Sequence, residues 1–221
     1  MIARELISYS VPLLKCTDTG QKAINIMETF RISHLPLVKN NEYLGLISDK
    51  DIYDLGLEMC KLEAKNSTLP HPFVRANQHL YEVAQKMLEQ KISAIPVLEQ
   101  NDNYIGVITI NDLATRIADL FLVKEPGAVI VLEINNADYS LSQIAQIVES
   151  NDVKILSLYT RHIENTSQMH VSLKLNITDA SAVIQTFVRY DYNIAAVYMD
   201  DSLLHDMYAE RFDLFMKYLN L

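Results

Sequence analysis

Cysteine and glycine are scarce in this 221-residue chain, and their scarcity removes whole classes of function. The two cysteines, Cys16 and Cys60, make neither a metal-ligand cluster nor a disulfide framework, so they read as reduced structural thiols. The five glycines form no glycine-rich phosphate loop, and no nucleophile elbow is present. Long apolar runs are missing too, since residues 128–132 and 194–199 are far too short to cross a bilayer. Residues 1–7 read as a short amphipathic helix, not as the basic-then-apolar pattern of a signal peptide. Positive charge is in deficit, with 19 Lys and Arg against 28 Asp and Glu. A sequence-independent nucleic-acid binder needs a basic face, which a net charge of −9 argues against. A local basic pocket for a small phosphate-bearing ligand stays compatible with that balance. The expectation is a soluble, cytoplasmic protein with no nucleic-acid or membrane partner.

What is present is an internal repeat. Sliding residues 11–52 over 71–113, with one insertion at Asn103, superposes ISHLPLV on ISAIPVL and YLGLISDKDI on YIGVITINDL. The identical pairs are Pro12/Pro72, Met27/Met87, Ile32/Ile92, Ser33/Ser93, Pro36/Pro96, Asn41/Asn101, Tyr43/Tyr104, Gly45/Gly106, Ile47/Ile108 and Asp51/Asp112. Chance supplies about two or three identities over such a window. A repeat must be found first, because it sets the fold.

Each copy has the same local grammar. Residues 21–31 and 81–91 carry Ala23, Ile26, Met27 and Phe30, or Val83, Ala84, Met87 and Leu88, at helical spacing. A short apolar strand follows at 35–38 or 95–98, then a turn rich in Asn and Asp. A second strand at 43–47 or 104–108 closes a hairpin. Ser48 or Thr109 then opens another helix, three residues before Asp51 or Asp112, which is helix-capping chemistry. Gly20 stands where the second copy has Leu80, so a looser start to the first helix is expected.

Both copies resemble CBS domains over about residues 1–122. The residues that carry the likeness are Leu35-Pro36-Leu37 with Gly45, Ser48 and Asp51, and Ile95-Pro96-Val97 with Gly106, Thr109 and Asp112. One such segment is a weak signal, whereas two at matching distances are a strong one. The hydroxyls of Ser48 and Thr109, and free N–H groups beyond them, would face the end of each sheet. A carboxylate one turn on can accept two vicinal ribose hydroxyls. The plainer alternative is a capping box with Asp in place of Glu. The resemblance implies ribose and phosphate roles for Ser48, Asp51, Thr109 and Asp112. It places adenine near Pro12, Ile32 and Ser33, or near Pro72, Ile92 and Ser93. Lys50 could reach a phosphate while its counterpart Asn111 carries no charge, so unequal sites are expected. Of the six histidines, none in metal-ligand spacing, His34 and His71 lie closest to the clefts.

Residues 124–127 (KEPG) break both helix and strand and mark a boundary. Beyond them residues 128–134, 153–163, 169–177 and 194–199 read as strands. Residues 141–150 and 180–190 read as helices, with Leu141, Ile144, Ile147 and Val148 inward on the first. That βαββαβ order is the ferredoxin-like plait, and after a CBS pair it resembles an ACT domain. Residues 201–221 read as a C-terminal amphipathic helix, poised to pack on the plait or on a second subunit. The expected fold is thus α+β: CBS repeats at 1–57 and 58–122, an ACT-like domain at 127–200 and the helix at 201–221. The combination is similar to the acetoin-utilisation protein B group. It implies a non-enzymatic, homodimeric sensor of an adenine nucleotide (AMP, ADP or ATP) that signals to a partner protein and requires no cofactor. The alternative is a structural dimerisation module with empty clefts.

Overall fold

Each copy of the repeat builds the same five elements. The first gives β1 (Leu14–Lys15), α1 (Gly20–Phe30), β2 (His34–Lys39), β3 (Glu42–Ser48) and α2 (Asp49–Asp54). The second gives β4 (Val74–Arg75), α3 (Leu80–Gln90), β5 (Ala94–Leu98), β6 (Tyr104–Thr109) and α4 (Ile110–Leu120). Both make three-stranded sheets, β1-β2-β3 and β4-β5-β6, with the first pair parallel and the second antiparallel. The computed structural model describes residues 1–62 and 69–199, so the helix expected over 201–221 lies outside the described residues. The chain divides into two units, Met1–Ile117 and Ala118–Leu221.

The helices α1 and α3 end alike. Arg31 and Lys91 both take left-handed φ values of 53°. That turn lets Ile32 N–H donate to the Met27 carbonyl at 2.9 Å and Ile92 N–H to the Met87 carbonyl at 3.1 Å. This closure satisfies carbonyls that the helix leaves orphaned and sends the chain straight into a buried strand. A non-glycine residue there costs about 1 kcal/mol, and both copies bear it. The inward stripe of α3 ends at Met87. Leu88, which shares the helical spacing, is 79% exposed, because α3 packs on one side only.

The two repeats exchange their leading segments. Residues Ala3–Leu6 form a single 3-10 turn in place of the expected amphipathic helix, and that turn lies in the second repeat. Ala3 N–H donates to the Gln78 carbonyl at 2.8 Å, Arg4 N–H to Ala76 at 3.0 Å and Ser8 N–H to Val107 at 2.8 Å. Ala3, Leu6 and Ile7 share a core with Val74, Leu80, Met87, Ile95 and Ile108. In return Leu57, Leu62 and Leu69, from between the repeats, complete the core of Leu14, Ile26, Met27, Leu35 and Ile52. Burying one leucine side chain is worth about 1.5–3 kcal/mol, so each repeat depends heavily on chain that precedes the other.

The paired glycines of the motif serve this crossing. A Cβ on Gly106 would sit 2.4 Å from Ile7 Cγ2, and one on Gly45 would sit 2.6 Å from Leu69 Cβ. Gly20 corrects an expectation. It is not a loose start to α1, since a Cβ there would lie 2.4 Å from the Leu57 carbonyl oxygen. The returning segment fills that space, with Gly20 N–H donating to Cys60 at 3.2 Å and Gln21 N–H to Glu58 at 2.8 Å. In the second repeat the corresponding helix start is met by Met1, whose carbonyl accepts Leu80 N–H at 3.1 Å.

The second unit contains β7 (Val129–Asn135), α5 (Leu141–Glu149), β8 (Ile155–His162), β9 (Gln168–Leu175), α6 (Ser181–Arg189) and β10 (Asn193–Tyr198). The sheet is antiparallel in the order β10-β7-β9-β8. Alternate residues Ile130, Leu132 and Ile134 of β7, with Val171, Leu173 and Leu175 of β9, face Ile144, Ile147, Val183 and Phe187 in one core. The period of two puts Val129 and Val131 on the other face. Leu141, expected inward, is 51% exposed. It is the first residue of α5, ahead of the first buried turn at Ile144.

Candidate functional site

Where β3 gives way to α2, the Ser48 hydroxyl accepts Asp51 N–H at 3.0 Å and donates to Asp51 Oδ2 at 2.6 Å. The same carboxylate oxygen accepts Ser48 N–H at 2.9 Å. The second copy repeats the arrangement. Asp112 N–H donates to the Thr109 hydroxyl at 3.1 Å, Thr109 N–H donates to Asp112 Oδ2 at 3.3 Å, and the hydroxyl donates to that oxygen as well. Each motif is therefore a reciprocal cap, made possible because strand geometry at Ser48 (φ −102°, ψ 162°) aims the hydroxyl along the helix axis. In each carboxylate Oδ1 accepts no hydrogen bond among the described residues.

The helix starts are less open than the sequence implied. Asp49 N–H donates to the Ser33 carbonyl at 3.1 Å, Lys50 N–H to Asp49 Oδ1 at 2.7 Å, and Ile110 N–H to the Ser93 carbonyl at 2.9 Å. The first N–H of each helix, expected to be free for a phosphate, is thus engaged inside the protein. A buried donor without a partner is costly, and the segment that ends α1 or α3 supplies one.

The two copies meet at Ser33 and Ser93. Ser33 N–H donates to Ser93 Oγ at 2.8 Å, and the two hydroxyls lie 3.2 Å apart. His34 joins them, its Nδ1 lying 3.0 Å from Ser33 Oγ and 3.1 Å from Ser93 Oγ, and accepting Ser93 N–H at 3.3 Å. Burial holds the His34 imidazole below its ordinary value of 6.5, against the pull of the Asp49 and Asp51 carboxylates. Asn111 reaches across too, its side-chain amide donating to the Phe30 carbonyl at 3.3 Å. The sequence reading named Ser33, Ser93 and Asn111 but missed that they bond across the repeats. One signal was available: identical residues at equivalent positions of a twofold repeat face each other when they lie on its axis.

The other expected residues fall into different surroundings. Ile32 is buried in the first core, while Ile92 is partly buried against the second. Pro72 is buried and Pro12 exposed. The Pro72 carbonyl accepts the Tyr43 hydroxyl at 3.0 Å, and the Tyr43 and His71 rings meet edge to face at 5.8 Å. Burial pushes the Tyr43 phenol well above its ordinary range, with the Tyr104 phenol adding to the effect; burial alone does the same at Tyr104. Lys50 is exposed, and its ammonium forms no ion pair among the described residues. Thr109 is 4% exposed whereas Ser48 is half-buried, so the second motif lies deeper than the first.

A cavity of about 260 Å³ adjoins the first motif, lined by Ile24, Met27, Glu28, Arg31, Ile32, Asp49 and Tyr53. A larger one, about 510 Å³, lies by the β5–β6 turn and is lined by Arg4, Asn77, Glu99 and Asn101 among others. It sits at the far end of the hairpin from Thr109, which pairs with Ala94, so size alone does not mark the motif. No group of three or more potential metal ligands occurs among the described residues. Among them, no helix is long and apolar enough to cross a membrane.

Comparison with known proteins gives this geometry a family. The CBS domain model matches residues 3–58 and 67–119. The chain is 28% identical over 117 residues to the inosine-5'-monophosphate dehydrogenase of Methanocaldococcus jannaschii, covering 52% of this chain and 23% of that enzyme. It spans only about a quarter of the length of the first curated relatives, 23% to 25%. The CBS domain-containing protein YhcV of Bacillus subtilis is 22% identical over 121 residues, which cover 51% of this chain and 83% of that protein. Among solved structures, a protein assigned to acetoin utilization (AcuB) from Vibrio cholerae is 25% identical with a TM-score of 0.48, covering 57% of this chain and 96% of its own. The two matched repeats are a pair of CBS domains.

Proposed function

We propose that this chain is a non-enzymatic regulatory protein whose CBS pair senses an adenine nucleotide: AMP, ADP or ATP. One observation carries the reading. Two carboxylates, Asp51 and Asp112, stand at equivalent helix starts, each oriented through Oδ2 and keeping Oδ1 uncommitted among the described residues. A carboxylate held that way can accept ribose hydroxyls without first being ordered. Pro12, Ile32, Ser33, Pro72, Ile92 and Ser93 would frame adenine. Lys50 and Asn111 distinguish the two clefts, the charged one favouring ligands with more phosphate. The C-terminal plait is read as an ACT-like regulatory domain in an acetoin-utilisation protein B-like, cytoplasmic homodimer. Ligand state would pass to a partner protein through differential contacts in two conformations.

Calorimetric titration of AMP, ADP and ATP tests the proposal on the wild type, Asp51→Asn, Asp112→Asn and the double variant. Asn preserves the capping geometry, so loss of binding is separable from loss of fold. Wild type should bind, and each single variant should lose one class of site. Nucleotide at about 100 times its dissociation constant should stabilise the fold by about 2.7 kcal/mol. In Lys50→Ala the preference for ATP over AMP should shrink; an unchanged ratio would remove Lys50 from the site. Silence from all three nucleotides, in heat and in thermal shift, would sink the proposal. It would favour a scaffold whose Ser/Thr–Asp pairs serve only as caps, a role their reciprocal bonds already fill.

A further inference from the structure

The junction between the repeats contains one histidine where twofold symmetry calls for two. His34 corresponds to Ala94 in the second copy, and Ala94 is fully buried. The single imidazole takes Ser93 N–H on Nδ1 at 3.3 Å, with both serine hydroxyls within 3.1 Å of the same nitrogen. A backbone N–H can only donate, so Nδ1 carries a lone pair and the neutral ring holds its proton on Nε2. From this junction both motif helices hang: the Ser33 carbonyl accepts Asp49 N–H and the Ser93 carbonyl accepts Ile110 N–H. Ser33 and Ser93 are in turn tied to each other.

We infer that His34 is a positioning residue that couples the two motif helices and makes their register sensitive to protons. A second proton can be added only at Nδ1, the atom that accepts the Ser93 amide. The imidazolium could donate that proton to a serine hydroxyl, but Ser93 N–H would then face a donor and lose its partner. A half-buried amide without an acceptor drives rearrangement, and the residue it belongs to carries the carbonyl that caps α4. The charged groups that act on His34 are the Asp49 and Asp51 carboxylates of α2. From the second repeat it meets the amide and hydroxyl of Ser93. The two carboxylates favour the imidazolium and burial opposes it, with burial the larger effect. The folded-state value is therefore below the ordinary 6.5. The contribution of the neutral junction is complete above that pH and is lost as pH falls from there through the lowered folded value.

Two measurements on the full chain test this without any ligand, so their failure is distinct from failure of the nucleotide proposal. Histidine ring NMR should show His34 as the Nε2–H tautomer at pH 7.5 and give its titration midpoint. Amide exchange, corrected for intrinsic rates, should show protection at Ser93, Asp49 and Ile110 falling as pH drops below the ordinary 6.5 and levelling off below the measured His34 midpoint. In His34→Gln, which offers an uncharged acceptor at every pH, protection at those three amides should stay level. His34→Ala, copying Ala94, should lower Ser93 protection at all pH values and abolish its pH dependence. An Nδ1–H tautomer at neutral pH, a midpoint at or above 6.5, or the same acid response in His34→Gln would each overturn the inference.

Discussion

The contact between Ile7 and Gly106 can be crowded from one side or emptied from the other, and the two changes should not add. Gly106 does not adopt a left-handed φ, so alanine there brings no backbone strain and its effect is one of crowding. The new methyl would lie 2.4 Å from Ile7 Cγ2, a branch held close to its own backbone and unable to swing away. Overpacking of this kind costs about 1–3 kcal/mol, offset by about 0.4–1 kcal/mol because alanine restricts the unfolded chain. Gly106→Ala should therefore destabilise by about 1–2 kcal/mol. Ile7 is 8% exposed, and Ile7→Ala should cost about 2–4 kcal/mol. In the double variant the methyl occupies space the isoleucine has vacated. Gly106→Ala should then be neutral or mildly stabilising, a coupling of about 1–3 kcal/mol. The chain has no tryptophan, so urea unfolding is followed by circular dichroism. Exchange at the Ile108 amide assigns the transition to this unit. Additivity within about 0.5 kcal/mol would mean that the N-terminal segment does not cross Gly106, and the exchanged arrangement would fall with it.

Two further outcomes follow from the same geometry. Gly20→Ala should destabilise by about 1–3 kcal/mol in urea unfolding, because its Cβ would press on the Leu57 carbonyl; helix propensity alone predicts a gain of about 1 kcal/mol, so the sign decides. Lys91→Gly relieves a left-handed φ of 53° and should raise the melting temperature by about 2–4 °C, the equivalent of about 1 kcal/mol in a chain of this size. No rise would mean that the Lys91 side chain offsets its own strain.

The parts of this fold that depend on neighbours in sequence were legible there. The hydrophobic period marked α1, α3, β2 and β5, and the spacing of Ser48 to Asp51 and Thr109 to Asp112 marked both caps. The repeat marked Gly45 and Gly106 as equivalent, yet only the structure tells that Leu69 and Ile7 approach them closely. Exchange between repeats is a long-range choice with no local period. For the same reason Gly20 looked like a weak helix start, when it is the place where residues 57–60 come back. Leu88 and Leu141 sat on the right spacing but at the edges of packed faces, which periodicity cannot delimit. At the site, the sequence shows which residues line the helix starts, but not that Ser33 and Ser93 would already satisfy the first N–H of each helix. Hydrogen-bond satisfaction is an accounting over the whole fold.

The exchanged segments also set a schedule for the chain as it is made. Residues Ala3–Leu6 leave the ribosome ahead of both repeats, but the core that receives them includes Leu113, near the end of the second. At about 5–20 residues per second, that core arrives roughly 5–20 s later, and until then Leu6 and Ile7 have no native surface to cover. This segment is thus synthesised before the core that receives it and is among the last parts of the pair to reach its place. Early termination within the second repeat would leave an apolar segment without a home, a ready signal for the machinery that removes incomplete chains.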